Sequence, residues 1–387
     1  MKAARRLLIV SSMNTYGMRV LSGIHTYCRT YGDWEYHVEQ CRHPEVLQRI
    51  RYAIRDWKAE GIIVLVEQAK VERLIARSGL PAVNFGAYST SKLPTVMADN
   101  AAIGRLAAQH LMNNGFRNFA FCARTTELSP RQRCEGFTAE LMRNGFKCRV
   151  FSDRFVSGSE RNWLRNRNRM RQWLISLPKP AGIMCSHDPR GQEVSWACRR
   201  AGFRVPDEMA LVAVGDDQVL CQMCKPPLSS VDMDVQRIGF GAARLLHRLM
   251  DGKPPPVRPI LAPPRGVITR QSSDIVGIDD VEVACAMRFI RDHAHKPIGV
   301  NDLLNEVSIS RRSLEQRFEN SIGRSPKQEI MRIRIDRVKQ LLAETDLPAR
   351  TIALRSGFSG PDKLSIAFRR ETGQTPTAYR HVVRAEP

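Results

Sequence analysis

One short pattern occurs twice near the end of this 387-residue chain, and it restricts that region more than any other feature does. In the first copy Leu314 and Phe318 lead through Gly323 to Ser325-Pro326; in the second, Leu364 and Phe368 lead through Gly373 to Thr375-Pro376. Both read L-x-x-x-F-x-x-x-x-G-x-[S/T]-P, fifty residues apart. A self-match of this kind means one supersecondary unit built twice.

Each copy has readable physical content. Leu314, Phe318 and Ile322 fall at i, i+4 and i+8, one stripe of a helix, while Arg311, Arg312, Glu315, Gln316 and Glu319 take the opposite side. Ser310 suits the helix start, Gly323 its left-handed exit, and Ser325-Pro326 the cap and first position of the next helix. Ahead of it, residues 300–307 carry Leu303, Leu304 and Val307 and end in a tight Ser308-Ile309 turn, which makes a helix-turn-helix. The second copy repeats the plan. Residues 348–355 place Ile352 and Ala353 inward, turn at Ser356-Gly357-Phe358, and enter a helix near Gly360 in which Leu364 and Phe368 pack. Pro361, Asp362, Lys363, Ser365 and Arg369 are left facing out. Between the units, residues 327–343 space Met331, Ile335, Val338 and Leu342 as a helical stripe. This connecting helix is roughly 25 Å long, so two recognition helices can stand about one DNA turn, about 34 Å, apart. The alternative is an ordinary helical bundle whose repeated Leu and Phe are only core.

Residues 281–381 closely resemble the AraC-type DNA-binding domain of bacterial transcription regulators. The resemblance rests on Ser310 to Phe318, on Ile352-Ala353 with Gly357-Phe358, and on Gly373-Gln374-Thr375-Pro376 with Tyr379-Arg380. It implies that Arg311, Arg312, Glu315 and Gln316 read bases or backbone from the first recognition helix. Pro361, Asp362, Lys363, Ser365, Ile366 and Arg369 are the corresponding face of the second. Leu364 stands where an aromatic residue is frequent and Ile366 replaces a common polar reader, so the first helix is expected to carry more base readout.

The formal net charge of +21 implies an anionic partner, most simply nucleic acid. Residues 281–387 hold 19 Lys plus Arg against 13 Asp plus Glu, which leaves +15 to the first 280 residues, so charge alone does not locate the DNA site. Part of that excess lies at 154–171, with Arg161, Arg165, Arg167, Arg169 and Arg171, read as a solvated helix face with an auxiliary role in holding DNA as the alternative. No apolar run reaches the length of a membrane span. After Met1 to Arg6 only residues 7–10 are apolar, with no signal-peptide core, and this places the protein in the cytoplasm. The ten Cys are then reduced and mostly buried. Cys221 and Cys224 form a lone C-x-x-C without a second ligand pair, so neither metal nor cofactor is expected.

The first 275 residues alternate short apolar strands with helices in two series. Strands at 7–12, 36–40, 61–66 and 82–85 alternate with helices at 17–28, 45–58, from 70, and at 100–112; strands at 118–123, 147–151, 182–185 and 210–214 alternate with helices at 131–143, 162–177 and 191–201. The fold class is α/β, with parallel sheets flanked by helices in two lobes, followed by the all-α tail. Ligands of such sheets bind beyond the carboxyl ends of the strands. Asn14, Tyr16, Asp99, Arg133, His187, Asp188 and Asp216 stand at or near those ends. Carboxylates and a guanidinium suit a polyhydroxylated ligand. Capping or turn roles compete: Asp99 fits the cap of the following helix, and Asp188 before Pro189 fits a turn.

This region resembles the type I periplasmic-binding-protein fold used as the effector domain of LacI-type repressors. The marks are Asp99-Asn100-Ala101-Ala102-Ile103-Gly104, Arg133-Cys134-Glu135-Gly136-Phe137, Val214-Gly215-Asp216-Asp217 and Pro226 to Val231. The likeness implies that Asp99, Arg133, Asp188 and Asp216 contact the ligand, with Asn14, Tyr16 and His187 beside them. It implies an effector domain over 1–275, with lobe one at about 1–116 and 232–260, lobe two at about 117–231 and a final strand at 260–270. The tail is 281–387, and the linker falls around 271–280. A LacI-like effector domain with an AraC-type tail implies a sugar effector, D-xylose or a related pentose, an operator in double-stranded DNA, RNA polymerase as a partner, and a homodimer. Two other classes are weighed. A nicotinamide enzyme fits the alternation, but residues 11–17 lack G-x-G-x-x-G; an exported solute-binding protein fits the first domain but has no use for the tail.

Overall fold

The computed structural model describes residues 4–86, 91–124, 128–153, 160–274 and 280–385. They form two compact units, Met1–Asp274 and Ile275–Pro387. The expected linker at 271–280 and the basic run at 154–171 lie partly outside the described residues.

The first unit opens on β1 (Arg5–Ser11), in which Leu7, Leu8, Ile9 and Val10 are almost completely buried. An unbroken apolar run of this kind suits a central parallel strand covered on both faces. It leads to α1 (Thr15–Tyr31), β2 (Trp34–Gln40), α2 (Val46–Arg55), β3 (Gly61–Val64), α3 (Ala69–Ser78) and β4 (Ala82–Asn84), with the parallel order β2-β1-β3-β4. β5 (Val96–Ala98) then passes to α4 (Asn100–Asn113). The second series is β6 (Asn118–Arg124), α5 (Leu128–Arg143), β7 (Cys148–Asp153), α6 (Glu160–Ser176), β8 (Ala181–Cys185), α7 (Asp188–Arg200), β9 (Met209–Val214), α8 (Gln218–Met223) and β10 (Ser229–Asp232). After α9 (Val235–Met250), β11 (Ile260–Ala262) and β12 (Gly266–Ile268) close the unit. The second sheet has the order β12-β10-β9-β8-β6-β7. Its lower core joins Met170, Leu174, Ile183, Val194, Leu211 and Leu228.

Two expectations about the lobes change. α4, expected in lobe one, packs on α5 and against β8, β9, β10 and β12, so the first crossing falls just after Asp99 rather than near Phe116. The cause is a pair of glycines: a Cβ on Gly104 would collide with the Arg133 carbonyl oxygen, and one on Gly136 with that of Ala101. Their absence lets the α4 and α5 backbones touch. The final strand expected at 260–270 is two strands in different sheets. β11 pairs with β5 in parallel, and β12 pairs antiparallel with β10. Pro263-Pro264 lies between them and offers no N–H to either ladder.

The second unit comprises α10 (Val281–His293), α11 (Val300–Leu304), α12 (Arg311–Ile322), α13 (Pro326–Glu344), α14 (Ala349–Arg355), α15 (Pro361–Thr372) and α16 (Pro376–Ala385). One core joins Met287, Ile290, Leu303, Leu314, Phe318 and Ile330. The other joins Ile335, Val338, Leu342, Ile352, Leu364 and Phe368. α13 thus serves the first helix-turn-helix with its beginning and the second with its remainder. Arg334 sits at the junction, donating to the carbonyls of Ala294 (3.0 Å), Lys296 (2.8 Å) and Ile298 (2.9 Å) while its guanidinium lies 6.0 Å from the Phe358 ring. Gly357 beside it has φ 76°, and a Cβ there would meet the Ala294 carbonyl.

Candidate functional site

In the first unit, the strand ends of the two lobes face each other, and α1 supplies both sides of the meeting. Asn14 caps α1 by accepting from the Gly17 N–H, which starts the helix directly after β1. Thr15 and Arg19, one turn apart, reach the loop after β9. Thr15 Oγ1 donates to Asp217 Oδ2 (2.7 Å), and Arg19 donates to the Gly215 carbonyl (2.8 Å) and to Asp232 Oδ1 (3.0 Å). Tyr16 turns instead toward lobe one, where its hydroxyl donates to the Phe85 carbonyl (3.1 Å) and its ring stacks on Phe85. Burial pushes the Tyr16 phenol up to about 12, partly offset by the charge of Arg133.

Arg133 gathers both crossings. Its Nε donates to Asn100 Oδ1 (2.9 Å) at the first, one terminal nitrogen contacts Met233 Sδ (3.0 Å) at the second, and the other donates to the Ser186 carbonyl after β8. Asn100 in turn donates to Gln132 (3.1 Å). Asn100, Arg133, Ser186 and Met233 are therefore joined where the lobes meet, near enough to Tyr16 for the Arg133 charge to act on its phenol, and Tyr16, Asn100 and Arg133 are hydrogen-bonding groups of the kind a sugar needs.

Asp188 lies elsewhere than a ligand-facing role would put it. It is 2% exposed. Its Oδ2 accepts from the Asp217 N–H (2.8 Å) and its Oδ1 from Ser230 Oγ (2.6 Å), while Ser230 Oγ accepts from the Asp216 N–H (3.0 Å). The carboxylate is engaged by the protein, and burial raises its pKa, with the two bonds pulling the other way. Asp216 is held in the left-handed region at φ 51°. It pairs with Arg270 at 2.7 Å, both side chains being nearly buried. Asp99 caps α4 through a 2.8 Å bond from the Ala102 N–H. His187 precedes α7 and shares a 2.8 Å bond with Ser186 Oγ. Beside the α1 contacts lies a cavity of about 700 Å³, walled by Thr15, Arg19, Gln192, Asp216, Asp217 and Met223. Of the expected ligand residues it takes in Asp216.

The loop 215–217 is thus gripped from lobe one by Thr15 and Arg19, from lobe two by Asp188 and Ser230, and from the end of the unit by Arg270. Sequence reading missed Thr15, Arg19, Arg270 and Ser230. Only Ser230 carried a signal, as a polar residue in an otherwise buried strand. Downstream of Arg270 the chain stays fastened to lobe two. Ser272 and Ser273 are fully buried; Leu211 N–H donates to the Ser272 carbonyl (2.7 Å), and Ser229 N–H to Ser272 Oγ (2.8 Å). Ser273 Oγ bonds Ser229 and His110 (each 2.8 Å), and Asn114 donates to its carbonyl (2.7 Å). Burial lowers His110 to about 4, with Asp274 acting against that.

The second unit presents two outward helix faces. On α12, Leu314 and Phe318 are fully buried and Arg311, Arg312, Glu315 and Gln316 are exposed. Ser310 caps the helix, and Arg311 is turned onto Glu315 at 3.0 Å. On α15, Pro361, Asp362, Lys363 and Arg369 are exposed, Ser365 is half-buried, and Ile366 is 68% exposed. An apolar side chain so exposed beside charged neighbours is suited to contact with a thymine methyl rather than to the core. Cys221 and Cys224 are buried free thiols, and among the described residues no three His, Cys, Asp or Glu are gathered to hold a metal. No described helix is long and apolar enough to cross a membrane.

Residues 108–273 match the periplasmic binding protein-like domain family, and residues 303–381 match a helix-turn-helix domain family. Over nearly its whole length the chain aligns with the xylose operon regulatory protein of Escherichia coli K12, 28% identical over 390 residues and 98% of each chain. The likeness to the xylose operon regulators runs end to end. The corresponding Haemophilus influenzae protein is 28% identical over 384 residues, covering 96% of this chain and 97% of that one. The solved structure of a xylose-binding transcription activator superposes with a TM-score of 0.75 at 26% identity, covering 98% of this chain and 99% of the other. The shared plan is a periplasmic-binding-protein-like domain with flanked parallel sheets followed by a helical DNA-binding domain with helix-turn-helix units. These relatives are transcription regulators.

Proposed function

We propose that the chain is a cytoplasmic, non-enzymatic transcription activator for pentose catabolism that binds D-xylose or a closely related sugar and acts on its operator as a homodimer in contact with RNA polymerase. The observation that carries this reading is the collinear likeness across 98% of both chains, sensor and tail together, to the xylose operon regulators. The hub of Tyr16, Asn100 and Arg133 supplies donors and acceptors for sugar hydroxyls. A ligand shifts an equilibrium only by its differential affinity for two states. A sugar held by Tyr16 of lobe one and Arg133 of lobe two favours the closed arrangement of the lobes. Closure reaches the output through the loop 215–217 and Arg270, a few residues before the tail unit begins. The paired tails then read the operator mainly through Arg312 and Gln316, with α15 holding position.

The test is a thermal-unfolding titration of the full chain with D-xylose, L-arabinose, D-ribose and D-glucose. Ligand at about a hundred times its Kd stabilises by about 2.7 kcal/mol, which for a unit of this size is a rise of about 5 to 10 °C. One pentose is expected to give that rise and to change the chain's affinity for the DNA upstream of its target genes. No rise with any of the four sugars overturns the sugar assignment.

A further inference from the structure

α6 and α7 of lobe two make a basic face that neither the sugar hub nor the helix-turn-helix units use. Residues 165–200 hold eight Lys or Arg against two Asp or Glu. For comparison, residues 20–56 on lobe one hold five of each. Arg165, Arg169, Arg171, Arg199 and Arg200 are all exposed, and none of them forms an ion pair among the described residues. The buried side of α6 is set by Met170 and Leu174, so its arginines leave on both flanks: Arg165 and Arg169 one turn apart, Arg167 and Arg171 likewise.

The flank toward α7 is built around Trp196. The guanidinium carbon of Arg167 lies 3.3 Å from the centre of that ring and that of Arg200 5.0 Å from it. On the other flank Arg169 lies 5.9 Å from the Phe151 ring. Aromatic faces hold these planar cations in place, which lowers the entropy an arginine loses when it takes up a phosphate. Arg199 and Arg200 close α7 and are accounted for by its dipole. The arginines at 165–171 stand in mid-helix, where the dipole gives no reason for them.

We propose that the α6–α7 face of lobe two is a second nucleic-acid contact, binding the DNA phosphate backbone without regard to sequence. DNA fits better than an acidic protein because the face offers guanidiniums stacked on aromatic rings, whose planar forks match phosphate oxygens, and Ile175 at 45% is the exposed large apolar side chain of α6 among the described residues. It adds a sequence-independent term to operator binding and stands apart from base readout by α12 and α15.

The experiment is a fluorescence-anisotropy titration of the full chain on a mixed-sequence duplex of about 40 base pairs, between about 50 and 200 mM KCl. Each phosphate contact contributes about 0.9 to the slope of log affinity against log salt. R165E/R169E/R171E is expected to flatten that slope by about 2 to 3 and to lower affinity at the low-salt end more than ten-fold. R165Q/R169Q/R171Q, which keeps the helix and only removes charge, is expected to move the slope the same way by a similar amount. R29E/R51E/R55E on lobe one, with the same change in net charge, is expected to leave the slope nearly unchanged. An unaltered slope in the α6 variants overturns the proposal, and so does an equal fall in the lobe-one variant, which would mean diffuse charge rather than a site. Loss of poly-glutamate binding without loss of DNA binding would overturn it in favour of an acidic protein partner. Operator preference, tested separately through Arg312 and Gln316, is not expected to follow any of these variants.

Discussion

Asp188→Ala separates two roles that the sequence leaves equivalent. If the carboxylate holds the loop 215–217, as its bonds to the Asp217 N–H and Ser230 Oγ indicate, the substitution strands a buried N–H and frees Ser230. A hydrogen bond to a charged group is worth about 1.5 to 3 kcal/mol, so two give about 3 to 6. An opposing effect reduces this. Burial raises the Asp188 pKa above its ordinary 3.8, so the folded state favours the protonated acid, and the stability gained from protonation is lost as pH rises through the folded pKa. At neutral pH the ionised group therefore already costs something, and the expected net loss is nearer about 3 kcal/mol. Asp188→Asn keeps one acceptor, removes the buried charge and is expected to cost about 1 to 2 kcal/mol.

The measurement is urea unfolding of the full chain followed by tryptophan fluorescence. All five tryptophans, Trp34, Trp57, Trp163, Trp173 and Trp196, precede residue 275, so the signal reports the sensor unit alone. With an m-value of about 3 kcal/mol/M, the Ala variant's midpoint falls by about 1 M. Sugar affinity falls with it, because Asp217, which Thr15 of lobe one grips, loses the bond that holds its backbone. An unchanged midpoint with abolished sugar binding would refute the reasoning and make Asp188 a direct ligand contact.

Arg312→Ala or Gln316→Ala is expected to weaken specific DNA binding by about 1 to 3 kcal/mol and to relax preference at one base position; loss that is uniform across operator variants would reduce them to backbone contacts. Arg334→Ala removes three bonds to the carbonyls of Ala294, Lys296 and Ile298, so hydrogen exchange in both helix-turn-helix units should accelerate, by about 2 to 4 kcal/mol in opening free energy. His110 titrates near 6.5 when unfolded and is lowered to about 4 when folded, so the unfolded chain takes its proton first. The sensor unit then loses up to about 3 kcal/mol as pH falls from 6.5 to 4, with no contribution from this group above 6.5. His110→Gln should remove that slope from the pH dependence of unfolding, and an unaltered slope would refute the assignment.

The tail was legible nearly residue by residue because its signals are local. Leu314 and Phe318 lie one turn apart on one helix, Ser310 precedes it, Gly323 follows it, and each position has the burial or conformation its chemistry asks for. The second copy repeats the plan, though its cap is Gly360 rather than a hydroxyl residue. The sensor was legible as a class and not as a site. Alternating strands and helices indicate parallel sheets, yet they do not say on which sheet α4 lies; that depends on Gly104 meeting Gly136 across thirty-two positions. The strand-end rule points to Tyr16, Arg133 and Asp216 as candidates, whereas Arg19 and Arg270 lie inside or after their elements. Their partners, Gly215 and Asp216, are 196 and 54 residues away. No periodicity marks a side chain that reaches out of its own element to a distant loop.

These distant contacts determine which part of the sensor can carry a signal outward. Helix α1 belongs to lobe one, packing on α9, and its Thr15 and Arg19 grip the loop 215–217. Among the described residues, the segment that leaves the sensor is fastened to lobe two, through β12 on β10, through Ser272 on Leu211 and through Ser273 on Ser229, His110 and Asn114. A rotation of the lobes therefore leaves the root of the tail fixed to lobe two while it pulls on Gly215, Asp216 and Asp217. Arg270 is the one residue of that root held by the loop itself among the described contacts, at 2.7 Å from Asp216. The ordering of consequences is then forced by the connections. Loss of the Arg270–Asp216 pair should leave sugar binding largely intact and uncouple it from DNA affinity, whereas loss of Arg19 should alter sugar binding first, because Arg19 acts on the lobes before anything reaches Arg270.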